Sequence, residues 1–162
     1  MLEKIISGGQ TSGDQAGWRA AAKFGMPTGG WMPHGFLTER GPCPELAKRH
    51  GAEELPLESE LTAIERNVQE SDATLWFGET TSHRAHATVL ACHRFAKACL
   101  PVDPSAAFEP SHVADWIELG KIRVLHVVAN RESDEPGIGE RTEQFLEQVL
   151  QRLSLGDADS DR

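Results

Sequence analysis

At 162 residues the chain has the length of one domain with a sizeable core, and its 39% hydrophobic and 25% charged residues are the proportions of a soluble globular protein. A formal net charge of −9 argues against nucleic acid as the main partner, and no apolar run approaches the ~20 residues of a membrane span, so no membrane partner is expected. The three cysteines, Cys43, Cys92 and Cys99, form no paired framework; with no signal-like start, they point to a reducing, cytoplasmic setting.

In chain order, Ile5-Ile6 close a short β-branched strand, and Ser7-Gly8-Gly9-Gln10-Thr11-Ser12-Gly13-Asp14 follow at once. Ser12, with Gln15 three residues on, has the spacing of a capping box and opens a helix from about Gly13 to Phe24. Gly25 and Pro27 end that helix. Residues 28–57 are rich in glycine and proline and read as a long excursion with one short helix near Pro44 to His50. A helix from about Ser59 to Glu70 leads to the apolar strand Ala73 to Phe77, and Gly78 to Arg84 forms the next loop. A helix from Ala85 to Ala98 turns Thr88, Cys92, Phe95 and Cys99 to the core, making Cys92 and Cys99 buried thiols. Leu100 to Val102 is a short strand, Ser111 caps a helix that Gly120 ends, and Ile122 to Val128 is the clearest strand. The last helix runs from about Gly139 to Leu153, giving one domain over 1–153 and a disordered polar tail over 154–162.

Such alternation predicts a three-layer α/β fold: a Rossmann-like, doubly wound, mainly parallel sheet with helices on both faces. Such sheets bind ligands beyond the carboxyl ends of their strands. Three loops reach that edge: Gly8 to Asp14, Gly78 to His86, and Ala129 to Gly139. In the first, Gly8, Gly9 and Gly13 admit a ligand to the backbone. Gln10, Thr11, Ser12 and Asp14 add polar groups at a helix amino terminus, a combination that holds phosphate. A tight strand-to-helix turn needs the same glycines. Arg131, Glu132 and Ser133 follow the clearest strand and offer a guanidinium, a carboxylate and a hydroxyl; a solvated loop is the alternative. Trp18 reads as core, whereas Trp31 either stacks on a planar heterocycle or serves a core or oligomer contact.

Five segments occur together in order: Ser7-Gly8-Gly9-Gln10-Thr11; Pro27-Thr28-Gly29-Gly30-Trp31 with Pro33 and Gly35; Asn67-Val68; Ser71-Asp72-Ala73-Thr74; and Arg131-Glu132-Ser133 with Pro136-Gly137-Ile138. Over about residues 4–153 this pattern resembles the putative molybdenum cofactor carrier family, a Rossmann-like branch of the lysine decarboxylase-like, nucleotide-binding superfamily. The resemblance implies a binding protein that holds the pterin-based molybdenum cofactor (molybdopterin) through its phosphate and assembles as a homo-oligomer, a dimer or tetramer. Where the family pattern has a second glycine-rich turn, this chain has His83-Arg84-Ala85-His86. That change favours charge-assisted hydrogen bonds to an anion over close backbone approach. It suggests a site retuned to another phosphorylated ligand or an oxyanion.

The rival chemistries are weaker. His83, His86 and His93 have a spacing that could serve a metal, but no carboxylate or cysteine completes the set. Cys43 lacks an evident base, and no Gly-x-Ser-x-Gly elbow occurs. Asp14, Glu39 and Glu132 are possible acids, with Glu39 the best candidate for plain polar surface. The expected function is binding of a small phosphorylated heterocycle without assigned catalytic residues. A nucleotide-binding or nucleotide-hydrolysing enzyme related to the phosphoribohydrolases is the alternative.

Overall fold

The structure is a computed structural model that describes residues 1–11, 13–105 and 108–160, with side chains to Gly156. Its main sheet contains β1 (Lys4–Ile6), β2 (Thr28–Met32), β5 (Ala52–Glu54), β6 (Ala73–Phe77), β7 (Ala98–Val102) and β8 (Val124–Ala129). They lie in the order β5-β2-β1-β8-β6-β7, and every pairing is parallel. A separate antiparallel hairpin joins β3 (Leu37–Thr38) to β4 (Gly41–Pro42). This is the doubly wound α/β architecture. The chain leaves β1 toward β2 and β5, then crosses to β6 and β7 on the other side before returning through β8.

The two faces of the sheet bury different layers. Ile5, Leu75, Phe77, Leu125, Val127 and Ala129 meet α1 (Gly13–Lys23), α5 (Pro110–Leu119) and α6 (Ile138–Ser160) in the largest core cluster. On this side Phe77 packs edge-on against Phe145. The other face carries α3 (Ala63–Glu70) and α4 (His83–Arg94): Ala85 of α4 packs on Trp76 and Val128 of the sheet, and Val68 of α3 packs with Cys92 of α4. Each large aliphatic or aromatic side chain buried this way contributes about 1.5–3 kcal/mol, which explains why β6 and β8, covered on both faces, are mostly apolar, with Thr74 and His126 the buried polar exceptions. Cys92 is buried and Cys99 half-buried, so only the first is a fully covered thiol. Among the described residues, no helix is long and apolar enough to cross a membrane.

Several elements differ from the sequence reading. The excursion over 28–57 holds two strands of the main sheet, β2 and β5, besides α2 (Pro44–His50). β2 reads Thr-Gly-Gly-Trp-Met, a poor strand by composition, because the backbone there is crowded. A Cβ on Gly30 (φ +125°) would collide with the Ser7 backbone, and one on Gly29 would meet the Lys4 side chain. α3 starts later than expected: Thr62 and Glu65 form a reciprocal capping box that fixes its first turn. α4 starts earlier, at His83, because the Ser82 hydroxyl accepts from Ala85 N. α5 opens at Pro110 rather than under a Ser111 cap, as a proline that needs no N–H partner suits a first turn. α6 continues past Leu153 to Ser160, so residues 154–160 of the expected tail are helical. Ser12, the expected cap of α1, lies outside the described residues.

Candidate functional site

The carboxyl ends of β1, β6 and β8 meet at the switch in winding direction, and Asp14 sits at the bottom of that crevice. Its side chain is 1% exposed. Oδ1 accepts from Ala129 N at 3.0 Å, at the end of β8. Oδ2 accepts from Gln10 N at 3.3 Å and from Arg84 Nη2 at 2.6 Å. Arg84 also donates Nε to the Ala129 carbonyl at 2.8 Å. One ion pair therefore ties the loop after β1, the end of β8 and the first turn of α4 together. The arginine in the His83-Arg84-Ala85-His86 segment is spent largely on an internal carboxylate, while His83 and His86 are exposed.

The glycines of the first loop are explained by packing. Gly9 has φ +73°, and a Cβ there would lie 2.9 Å from Met32 Cε and 2.9 Å from Trp18 Cη2. A Cβ on Gly13 would collide with Ala129, so α1 rests on β8 only because that position is bare. At Gly8 a Cβ would come within 3.3 Å of Asp14 Oδ2. Ser7 Oγ donates to the Asp14 carbonyl, and Gln15 Nε2 reaches back to the Gly9 carbonyl. Trp18, as expected, is fully buried; its Nε1 donates to the Gly29 carbonyl and its ring stacks on His50.

Above this floor lies the β3–β4 hairpin, whose tip is Glu39-Arg40. The Glu39 carboxylate accepts from Thr11 Oγ1 through one oxygen and from Ser133 Oγ at 2.5 Å through the other. Gln10 holds the hairpin from both sides, accepting from Glu39 N at 3.1 Å and donating to the Leu37 carbonyl at 3.4 Å. The hydroxyls of Ser133 and Thr11 hold the Glu39 carboxyl below the usual carboxylate range, with the Arg131 charge adding to the effect. Arg131 is itself exposed. An exposed glutamate that reads as plain surface is thus the anion that Thr11, Ser133 and Arg131 surround.

Other expected site residues lie elsewhere. Glu132 turns away to accept from Gly137 N at 2.5 Å and Gly139 N at 3.4 Å, covering the amino end of α6. Trp31 does not offer a free ring: Arg66 Cζ lies 4.9 Å above it, and its Nε1 donates to Glu70 at 2.8 Å. Asn67, weighed only as part of a motif, grips the Trp31 peptide at both ends, Nδ2 to the carbonyl and Oδ1 from the N–H, each at 2.9 Å. Asn130, which no sequence motif marks, accepts from Ser82 Oγ at 2.7 Å and donates to Glu135 at 2.7 Å, joining the second and third loops. Among the described residues, no three His, Cys, Asp or Glu side chains are placed to hold a metal ion. His83, His86 and His93 are all exposed. A cavity of about 470 Å³ lined by Met1, Phe24, Ile117, Leu150 and Leu153 sits at the opposite, amino end of the strands. Glu3 and Glu118 also line it, and two carboxylates in the wall disfavour an anionic ligand there.

Residues 5–150 match the model of the Circularly permutated YpsA SLOG family. The chain is also similar to a crystal structure from Syntrophus aciditrophicus SB named "Putative molybdenum carrier protein", at 32% identity with a TM-score of 0.82. That match covers 92% of this chain and 95% of the other. No curated protein matches.

Proposed function

Since the chain belongs to the circularly permutated YpsA SLOG family, we propose that it binds a small phosphorylated heterocycle at the crevice between the loops after β1, β6 and β8. The observation that carries this reading is the Glu39 carboxylate, held between the Thr11 and Ser133 hydroxyls beside Arg131. Two hydroxyl donors and a nearby guanidinium suit a phosphate as well as a carboxylate. Asp14, Glu132 and Glu135 already engage backbone amides around the crevice. A ligand phosphate therefore depends on the side chains of Thr11, Ser133 and Arg131 more than on a bare glycine loop.

The similarity to a structure named as a molybdenum carrier makes molybdopterin the leading ligand, and a carrier role the leading function. The residues fit its phosphate. They do not supply a stacking partner for the pterin through Trp31, whose ring Arg66 covers. Calorimetric titration with molybdopterin and with guanosine monophosphate tests the reading. Binding of molybdopterin that weakens at least about tenfold in an Arg131→Ala/Ser133→Ala variant is expected, since each charge-assisted hydrogen bond lost costs about 1.5–3 kcal/mol. Preference for the nucleotide would make this a nucleotide-binding protein, and failure of both to bind would overturn the proposal.

A further inference from the structure

We propose that the β3–β4 hairpin is a strap over the crevice, and that Glu39 occupies the place of the ligand's phosphate until that phosphate displaces it. This rests on the phosphate reading above and adds how the site is opened and which ligands it admits. The Glu39 carboxylate has the charge sign of a phosphate oxygen pair. It spans Thr11 on the loop after β1 and Ser133 on the loop after β8, the two loops that a bound phosphate would bridge. Among the described residues four hydrogen bonds tie the hairpin to these loops, and all run through the side chains of Gln10 and Glu39. Leu37, Glu39 and Arg40 are exposed whereas Thr38 is buried, so the lifting part is the Glu39-Arg40 tip, which leaves little buried surface behind.

The hairpin has its own internal bonds, so its tip can swing outward while Phe36 and Thr38 stay anchored. Thr38 Oγ1 donates to the Gly41 carbonyl at 2.9 Å and accepts from Arg40 N at 3.1 Å, and Cys43 N donates to the Phe36 carbonyl at 2.9 Å. An incoming phosphate must outcompete a carboxylate already paired with two hydroxyls. A phosphate monoester, with more acceptor oxygens and up to two charges, can do so; a neutral heterocycle cannot. Glu39 thus acts as a selectivity residue for phosphorylated ligands rather than as an acid or base.

Inorganic phosphate and trypsin test this on the full chain. Glu39→Ala should bind phosphate about tenfold more tightly than wild type, because the internal competitor is gone. Adding Ser133→Ala should remove most of that gain. Trypsin should cut after Arg40 several-fold faster in Glu39→Ala, and faster in wild type when phosphate is saturating. Equal phosphate affinity in wild type and Glu39→Ala, with unchanged cleavage at Arg40, would overturn the strap and leave the anion site standing. Absence of phosphate binding in every variant would overturn the anion site and the strap with it.

Discussion

Arg84 and Asp14 form the ion pair on which the crevice is built: Nη2 lies 2.6 Å from Oδ2, with side chains 15% and 1% exposed. The arginine enters from the first turn of α4 and the aspartate from the first turn of α1. Each also bonds the Ala129 peptide, the aspartate to its N–H and the arginine to its carbonyl. Removing the cation leaves a buried carboxylate with two amide donors and no counter-charge. Arg84→Met should cost about 3 kcal/mol in urea unfolding, at the lower end for a broken buried pair. Arg84→Met combined with Asp14→Asn should cost clearly less than the two single changes summed. Additive losses would mean that the two groups do not stabilise one another.

Gly9 separates a packing role from a ligand role. Its φ of +73° alone costs an alanine about 1–2 kcal/mol, and Trp18 cannot yield because Gly29 and His50 hold it. Gly25 has a similar φ of +65° with nothing within 4 Å of an added Cβ. Gly9→Ala should therefore lower stability by at least about 1 kcal/mol more than Gly25→Ala, the excess coming from the collision with Trp18 and Met32. Thermal unfolding of the two variants checks this. Equal losses would return Gly9 to the role of a ligand contact.

What the sequence reveals and what it hides follow from the range of the interactions. Alternating apolar runs and caps act within a few residues, so β6, β8 and the helices are legible, as is the edge where Asp14, Arg84, Ser133 and Arg131 gather. β2 is hidden because glycine usually signals a turn, whereas Gly29 and Gly30 serve the close approach of Lys4 and Ser7. Glu39 is hidden because its partners Thr11 and Ser133 lie 28 and 94 residues away. The same holds for Arg84, whose sequence neighbours suggest an anion-binding cation although Asp14, 70 residues distant, claims it.

His126 on β8 makes stability depend on pH. It is fully buried, its Nδ1 lies 3.2 Å from Thr74 Oγ1, and its Nε2 has no hydrogen-bond partner among the described residues. Burial, with the Arg84 charge assisting, depresses its pKa from 6.5 to about 3. The unfolded chain thus takes up a proton near pH 6.5 that the folded chain refuses until about pH 3, and stability falls as pH drops through that window. Between pH 7 and pH 5 the loss from this residue is about 2 kcal/mol. His50, also depressed by burial, adds to the trend in the same direction. Urea unfolding at both pH values should show a clearly smaller loss in His126→Phe than in wild type. An unchanged difference would mean that the imidazole is protonated in the fold.

Backbone amide NMR of the chain titrated with molybdopterin locates the ligand on the fold. Shifts concentrated at Gly9 to Thr11, Leu37 to Gly41 and Arg131 to Ser133 are the predicted result. Those segments surround the Glu39 carboxylate and the Asp14–Arg84 pair. Shifts centred instead on Phe24, Ile117, Leu150 and Leu153, around the cavity at the amino end of the strands, would contradict binding at the crevice.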